Sequence, residues 1–147
     1  MRLVVAAGVI AACGLSAACG QSVTSPSSTA PYSQIDLLLG TGDVAVSGNI
    51  LTVNYTGWLY DTSKPDTKGL LFDTSNGKTP FVFTLGTASV IAGWDQGLVG
   101  MKVGGIRRLV VPPSLAYGGI RNSSIPAYST LVFDVELLGT CPAAGCS

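Results

Sequence analysis

Val90-Ile91-Ala92-Gly93-Trp94-Asp95-Gln96-Gly97-Leu98 is the stretch on which the reading of this chain turns. Val90, Ile91, Trp94 and Leu98 stand at i, i+1, i+4 and i+8, along one side of a 3.6-residue helix. Ser89 is the expected N-cap, and Gly97 or Gly100 can end the helix in the left-handed conformation. A lone short helix with a tryptophan on its apolar side must be covered by a sheet, because nothing else in the chain is available to bury it. Ala92 and Gly93 are small enough to let other groups approach the indole. Trp94 therefore reads either as the floor of a pocket or as plain core.

The segments on either side supply the sheet. Asn49 to Tyr60 is β-branched and aromatic, with Leu51, Val53 and Tyr55 alternating onto one face. Ile35 to Leu39, Leu70 to Ser75, Thr79 to Gly86 and Ile106 to Pro113 are further strand candidates, and Val44 to Gly48 leads into the long one. Thr130 to Leu138 alternates most cleanly, with Leu131, Phe133, Val135 and Leu137 on one side. Asp61 to Gly69 is a hydrophilic excursion holding Pro65, read as a long loop or bulge. Arg107 and Arg108 are expected on a solvated strand face, Phe83 and Leu109 in the core, and Met101 as filler. The fold class that follows is α+β, a curved antiparallel sheet or half-barrel wrapped around one short helix.

The composition narrows the chemistry. The chain has 147 residues, no histidine and zero formal net charge, with charged residues at 11%. Lack of histidine removes Ser-His-Asp and Cys-His catalysis and His-ligated zinc. Scattered basic residues argue against a nucleic-acid partner, which needs a basic face. No cofactor or metal is expected, and one domain is the natural content of this length.

The N-terminus reads as an address. Met1-Arg2 followed by Leu3 to Ala12 has the charged and apolar regions of a secretory signal, and is too short and Gly-interrupted for a membrane span. Leu15 to Ala18 place small residues before Cys19, which resembles a bacterial lipobox, so residues 1–19 are expected to end in lipidation at Cys19. Plain cleavage and secretion is the alternative. Residues 20–33 are Ser/Thr/Pro-rich without hydrophobic period, a flexible linker. The domain is expected over 34–140, followed by a tail, 141–147, in which Cys141 and Cys146 can close a small disulfide loop if the compartment oxidises. Two free terminal thiols are the other possibility. These features point to an exported protein in the periplasm or at the cell surface, touching a membrane only through a lipid anchor.

Six segments, in order, resemble the FKBP-type peptidyl-prolyl cis-trans isomerases: Val53-Asn54-Tyr55-Thr56-Gly57, Phe72-Asp73-Thr74-Ser75, Pro80 to Gly86, Val90 to Leu98, Ala116-Tyr117-Gly118 and Leu131 to Leu138. The resemblance spans about Gln34 to Gly139. It implies a cleft between helix and sheet lined by Tyr55, Phe72, Asp73, Phe81, Val90, Ile91, Trp94, Tyr117 and Phe133, with Ile125 on a covering loop. Tyr55, Phe72, Asp73 and Tyr117 take the catalytic positions, and Phe81, Val90, Ile91, Trp94, Ile125 and Phe133 the substrate-binding ones. Two departures stand out. Trp58 to Leu71 is longer than in short family members, and Gly118 to Tyr128 is about a residue shorter, carrying Arg121 and Asn122.

What the resemblance implies chemically needs no covalent step. Rotation about an X–Pro bond must cross a barrier of about 20 kcal/mol. At its top the amide has lost resonance and part of its dipole, so a dry apolar pocket favours it over the planar form. The rings grip the proline, while the Ile91 N–H and the Tyr117 hydroxyl fix substrate carbonyls. Asp73 and Tyr55 hydrogen-bond at the rim, and Asp73 acts electrostatically rather than as an acid or base. The expected partners are proline-containing polypeptides and macrolide inhibitors, bound by a monomer. The competing readings are a binding module that holds proline-rich segments as a chaperone or scaffold without turnover, and a structural envelope lipoprotein whose cleft is filled by its own side chains.

Overall fold

The computed structural model describes residues 29–146, so the leader, Cys19 and most of the expected linker lie outside the described residues. Six antiparallel strands form one sheet: β1 (Ser33–Leu38), β2 (Asn49–Tyr60), β3 (Lys68–Thr74), β4 (Phe81–Thr84), β5 (Ile106–Val111) and β6 (Leu131–Pro142). The single α-helix among the described residues, α1 (Ala92–Gly97), follows β4. The order is β1-β5-β6-β2-β3, with β4 also paired to β2. The expected α+β half-barrel is the fold observed.

β2 is the spine. One edge pairs with β6 from Asn49↔Pro142 to Leu59↔Leu131. Its other edge is shared, Ile50 to Val53 pairing with β4 and Thr56 to Tyr60 with β3. Between those halves, at Tyr55, the backbone is satisfied by Ser75: Tyr55 N donates to Ser75 Oγ at 2.9 Å and Ser75 N to Tyr55 O at 3.0 Å. The sheet edge splits there, and the cleft opens at the split.

Alternation decides what faces inward. Leu51, Val53, Leu109, Val111, Leu131, Val135 and Leu137 are buried against Trp94, Leu98 and Met101. The helix lies close to β5 because residue 93 lacks a side chain; a Cβ on Gly93 would collide with Val111. The group that Gly93 admits beside the helix is therefore Val111 of the sheet.

Several boundaries differ from expectation. The helix runs over Ala92–Gly97 rather than from Ser89, because Ile91 is extended (ψ 148) and Ser89 Oγ donates to Thr84 O instead of capping. Gly100, not Gly97, is the left-handed residue beyond it (φ 79). The fold also starts ahead of Gln34: Ala30 N donates to Thr130 Oγ1, and Tyr32 packs on the core with its hydroxyl donating to Gly93 O at 3.3 Å. At the other end Cys141 lies within β6, not past it, and stands in disulfide geometry with Cys146, Cα atoms 5.7 Å apart.

The largest correction concerns Arg107 and Arg108, neither of which lies on a freely solvated face. Arg107 points inward with Leu109 and Val111 and is 7% exposed. Its guanidinium donates to Asp36 of β1 (2.6 and 3.1 Å), Gly97 O (2.8 Å) and Val99 O (3.2 Å). The inward charge is tolerated because four acceptors meet it. Arg108, on the outer face, grips Asp134 through two nitrogens at 2.7 and 3.0 Å.

Candidate functional site

The cleft is built from strands and loops that meet over α1. β2 and β3 contribute Tyr55, Phe72 and Asp73, β4 contributes Phe81, and Ser89, Val90 and Ile91 lead into the helix that carries Trp94. Phe133 of β6 and Tyr117, beyond the turn Pro113–Leu115, complete a hollow of about 180 Å³. Nine of the ten residues that the resemblance put in the site thus line one concavity.

Ile125 is the exception. It is 6% exposed and packed in the core, where Asn122 and Ile125 exchange backbone hydrogen bonds across a tight turn. Its side chain belongs to the buried cluster and is not among those lining the hollow. Ser89, which sequence reasoning missed, lines the wall; a polar residue in an aperiodic turn carries no signal beyond its nearness to Val90.

Trp94 forms the floor in a cage of rings. Tyr55 and Phe133 meet it edge-on at centroid distances of 5.2 and 5.3 Å, with Phe83 at 5.7 Å and Phe81 at 6.2 Å. Phe72 stands edge-on to Phe133 at 5.6 Å. Gly57 is needed beneath this pair, since a Cβ there would lie 2.6 Å from the Phe72 ring and 2.9 Å from that of Phe133. The indole Nε1 is buried and finds no hydrogen-bond partner among the described residues. A buried donor without a partner is unfavourable, and its presence marks how poor in polar groups the floor is.

The rim is polar and ordered. The Tyr55 hydroxyl donates to Asp73 Oδ2, and Asp73 Oδ1 also accepts from Thr74 N at 2.8 Å. Burial, then the hydrogen bond to Asp73 and that residue's charge, push the Tyr55 phenol far above its ordinary value. Tyr55 accordingly stays protonated and remains a donor at any physiological pH. Ile91 O accepts from Trp94 N (2.9 Å) and Asp95 N (3.3 Å), while the Ile91 N–H makes no hydrogen bond to the described residues. It and the half-exposed Tyr117 hydroxyl are the donors left for a guest. Among the described residues no cluster of three or more His, Cys, Asp or Glu side chains is poised to hold a metal.

A hollow with aromatic walls, one floor indole and two free donors at the lip can bind an apolar ring and orient adjacent carbonyls.

Comparison with known proteins agrees with this geometry. The family model for FKBP-type peptidyl-prolyl cis-trans isomerase matches residues 42–138. The FK506-binding protein of Neisseria meningitidis serogroup B is 45% identical over 105 residues, covering 70% of this chain and 90% of that protein. FK506-binding protein 4 of Chaetomium thermophilum is 47% identical over 103 residues, 70% of this chain, but these span only 20% of its length. Among solved structures, FkpA from Escherichia coli has a TM-score of 0.65 at 41% identity, over 76% of this chain and 49% of that one. AtFKBP13 has a TM-score of 0.63 at 36% identity, over 78% of this chain and 98% of that one.

Proposed function

Because this chain belongs to the FKBP-type peptidyl-prolyl cis-trans isomerases, we propose that its cleft accelerates rotation about X–Pro bonds in exported or unfolded polypeptides. The observation that carries the reading is the floor: a buried indole whose N–H meets no acceptor among the described residues, ringed by Tyr55, Phe81, Phe83 and Phe133. A prolyl ring entering this hollow replaces water with aromatic surface. The twisted amide, with its smaller dipole, then loses less solvation than the planar amide does, and the barrier falls.

The lip supplies orientation. The Ile91 N–H and the Tyr117 hydroxyl hold the carbonyls on either side of the rotating bond, so the peptide arrives already bent. Phe72 closes the side wall against Phe133. Asp73 holds the Tyr55 hydroxyl and sets a negative charge near the twisting amide. Tyr55, Phe72, Asp73 and Tyr117 are thus the catalytic set, and Phe81, Val90, Ile91, Trp94 and Phe133 bind substrate. The same cleft is suited to macrolide inhibitors.

The leader and its cysteine support export, with Cys19 lipidated and the domain tethered to a bacterial membrane, facing the periplasm or the cell surface; no helix among the described residues is long and apolar enough to cross a membrane. An oxidising compartment would also keep the Cys141–Cys146 bridge closed. Cys19→Ser should release the protein from membrane fractions. If the variant stays membrane-bound without detergent, lipidation at Cys19 is wrong.

A protease-coupled assay with a proline tetrapeptide tests the activity. The expected result is isomerisation well above the uncatalysed rate. A background rate combined with measurable peptide binding would favour the proline-binding chaperone instead.

A further inference from the structure

We propose that Asp95 is a positioning residue for this cleft: its carboxylate latches residues 86–88 to the helix, and thereby sets the wall made by Ser89, Val90 and Ile91. The inference rests on the isomerase reading above and goes beyond it to a group that touches neither substrate nor the reacting bond.

Asp95 spends both oxygens on backbone donors. Oδ1 accepts from Gly86 N at 2.8 Å and Oδ2 from Ala88 N at 2.9 Å. It forms no ion pair with any described residue, so the two amides are what fix its carboxylate. Both amides belong to left-handed residues, Gly86 at φ 79 and Ala88 at φ 57. Glycine accepts this conformation freely, but alanine brings its Cβ too close to a carbonyl oxygen. The Ala88 backbone must be held by its surroundings. Further support comes from Thr84 O, which accepts the hydroxyls of Thr87 (2.9 Å) and Ser89 (3.0 Å).

The consequence follows from the order of the chain. Ala88 is two residues from Val90 and three from Ile91, whose N–H faces the guest, while Asp95 adjoins the floor residue Trp94. One carboxylate therefore ties the wall to the floor. Without it the Ile91 donor is no longer aimed, although the core around Trp94 is untouched.

The test uses the full chain with the proline tetrapeptide. Asp95→Ala should raise KM about fivefold with a smaller change in kcat, the pattern of lost ground-state positioning. The amides of Gly86 and Ala88 should exchange hydrogen faster while the urea midpoint stays close to wild type. Adding Ala88→Gly to Asp95→Ala should restore part of the lost KM, because glycine enters the left-handed region without the steric cost that alanine pays. An unchanged KM overturns the proposal. So does a KM rise that tracks a falling urea midpoint and is not recovered by Ala88→Gly, since that is a merely structural role. A wild-type rate at background defeats the isomerase reading instead; the tetrapeptide Kd, measured by NMR titration, then decides the latch, with the same rise and recovery expected.

Discussion

The two faces of one sheet make opposite use of neighbouring residues. Phe133 and Asp134 are adjacent in β6, yet the ring joins the cage over Trp94 while the carboxylate meets Arg108 and Lys68 on the outer face. Outside, charge answers charge: Lys68 reaches Asp134 at 2.6 Å and lies 4.2 Å over the Trp58 ring, and Arg108 lies 3.6 Å from Asp66. This network pins the excursion of residues 61–67, including the left-handed Asp66 and Thr67, onto the sheet. Inside, the cleft keeps an indole N–H that meets no partner among the described residues, and the Ile91 N–H at its lip. The outer network spends its charges on one another, whereas the donors at the cleft face a hollow lined by rings.

Arg107 is the one buried charge among the described residues, and removing it should break the comparison most severely. Arg107→Ala leaves Asp36 and the carbonyls of Gly97 and Val99 unmatched. The expected loss is about 2–3 kcal/mol, below the 3–5 of a fully buried pair because Asp36 is partly exposed. Urea unfolding measures it; a loss under about 0.5 kcal/mol would mean that the clamp is dispensable.

Phe72→Ala strips the cleft wall without touching the deepest core. It should lower kcat/KM about 30-fold, equivalent to about 2 kcal/mol of barrier, at near-unchanged fold by circular dichroism. Full kcat/KM in the folded variant would remove Phe72 from the catalytic set.

Asp134→Asn probes the outer face and should cost about 1 kcal/mol of stability at pH 7 with turnover intact. Its pH dependence has a definite sign. Burial alone would push the Asp134 carboxyl up, but the hydrogen bonds and charges of Arg108 and Lys68 prevail and hold it below its ordinary 3.8. With the folded value lowered, the stabilisation is complete above about pH 4 and disappears as pH falls through that lowered value. Wild type and variant should converge in strong acid. A gap that does not narrow as the pH falls below 3.8 would point to packing rather than charge.

The smallest effect is expected at the floor. Trp94→Leu keeps an apolar surface while changing its shape, so ratios of kcat/KM among peptides with different residues before proline should shift by a few-fold. A uniform drop across all peptides would assign Trp94 to stability alone.

The sheet and the ring set were legible in the sequence for one reason: strand alternation and aromatic spacing are local. Leu131, Phe133, Val135 and Leu137 announce an inner face without reference to any other segment, and β2 begins and ends where its β-branched run does. What escaped notice depends on distant partners. Arg107 reads as solvated until Asp36, 71 residues away, and the helix-end carbonyls come to meet it. Ser89 looks like an N-cap until Thr84 O claims its hydroxyl. Ile125 joins the buried cluster from a four-residue turn, where no period signals it. The site could be listed by type from the sequence, whereas its anchoring had to be seen in three dimensions.

The most direct test of the central claim is two-dimensional exchange NMR of an X–Pro peptide with substoichiometric protein. The account predicts cis–trans cross-peaks on the sub-second scale with wild type and their loss with Phe72→Ala. Cross-peaks no faster than in free peptide, from a folded wild type with its cleft open, would contradict it.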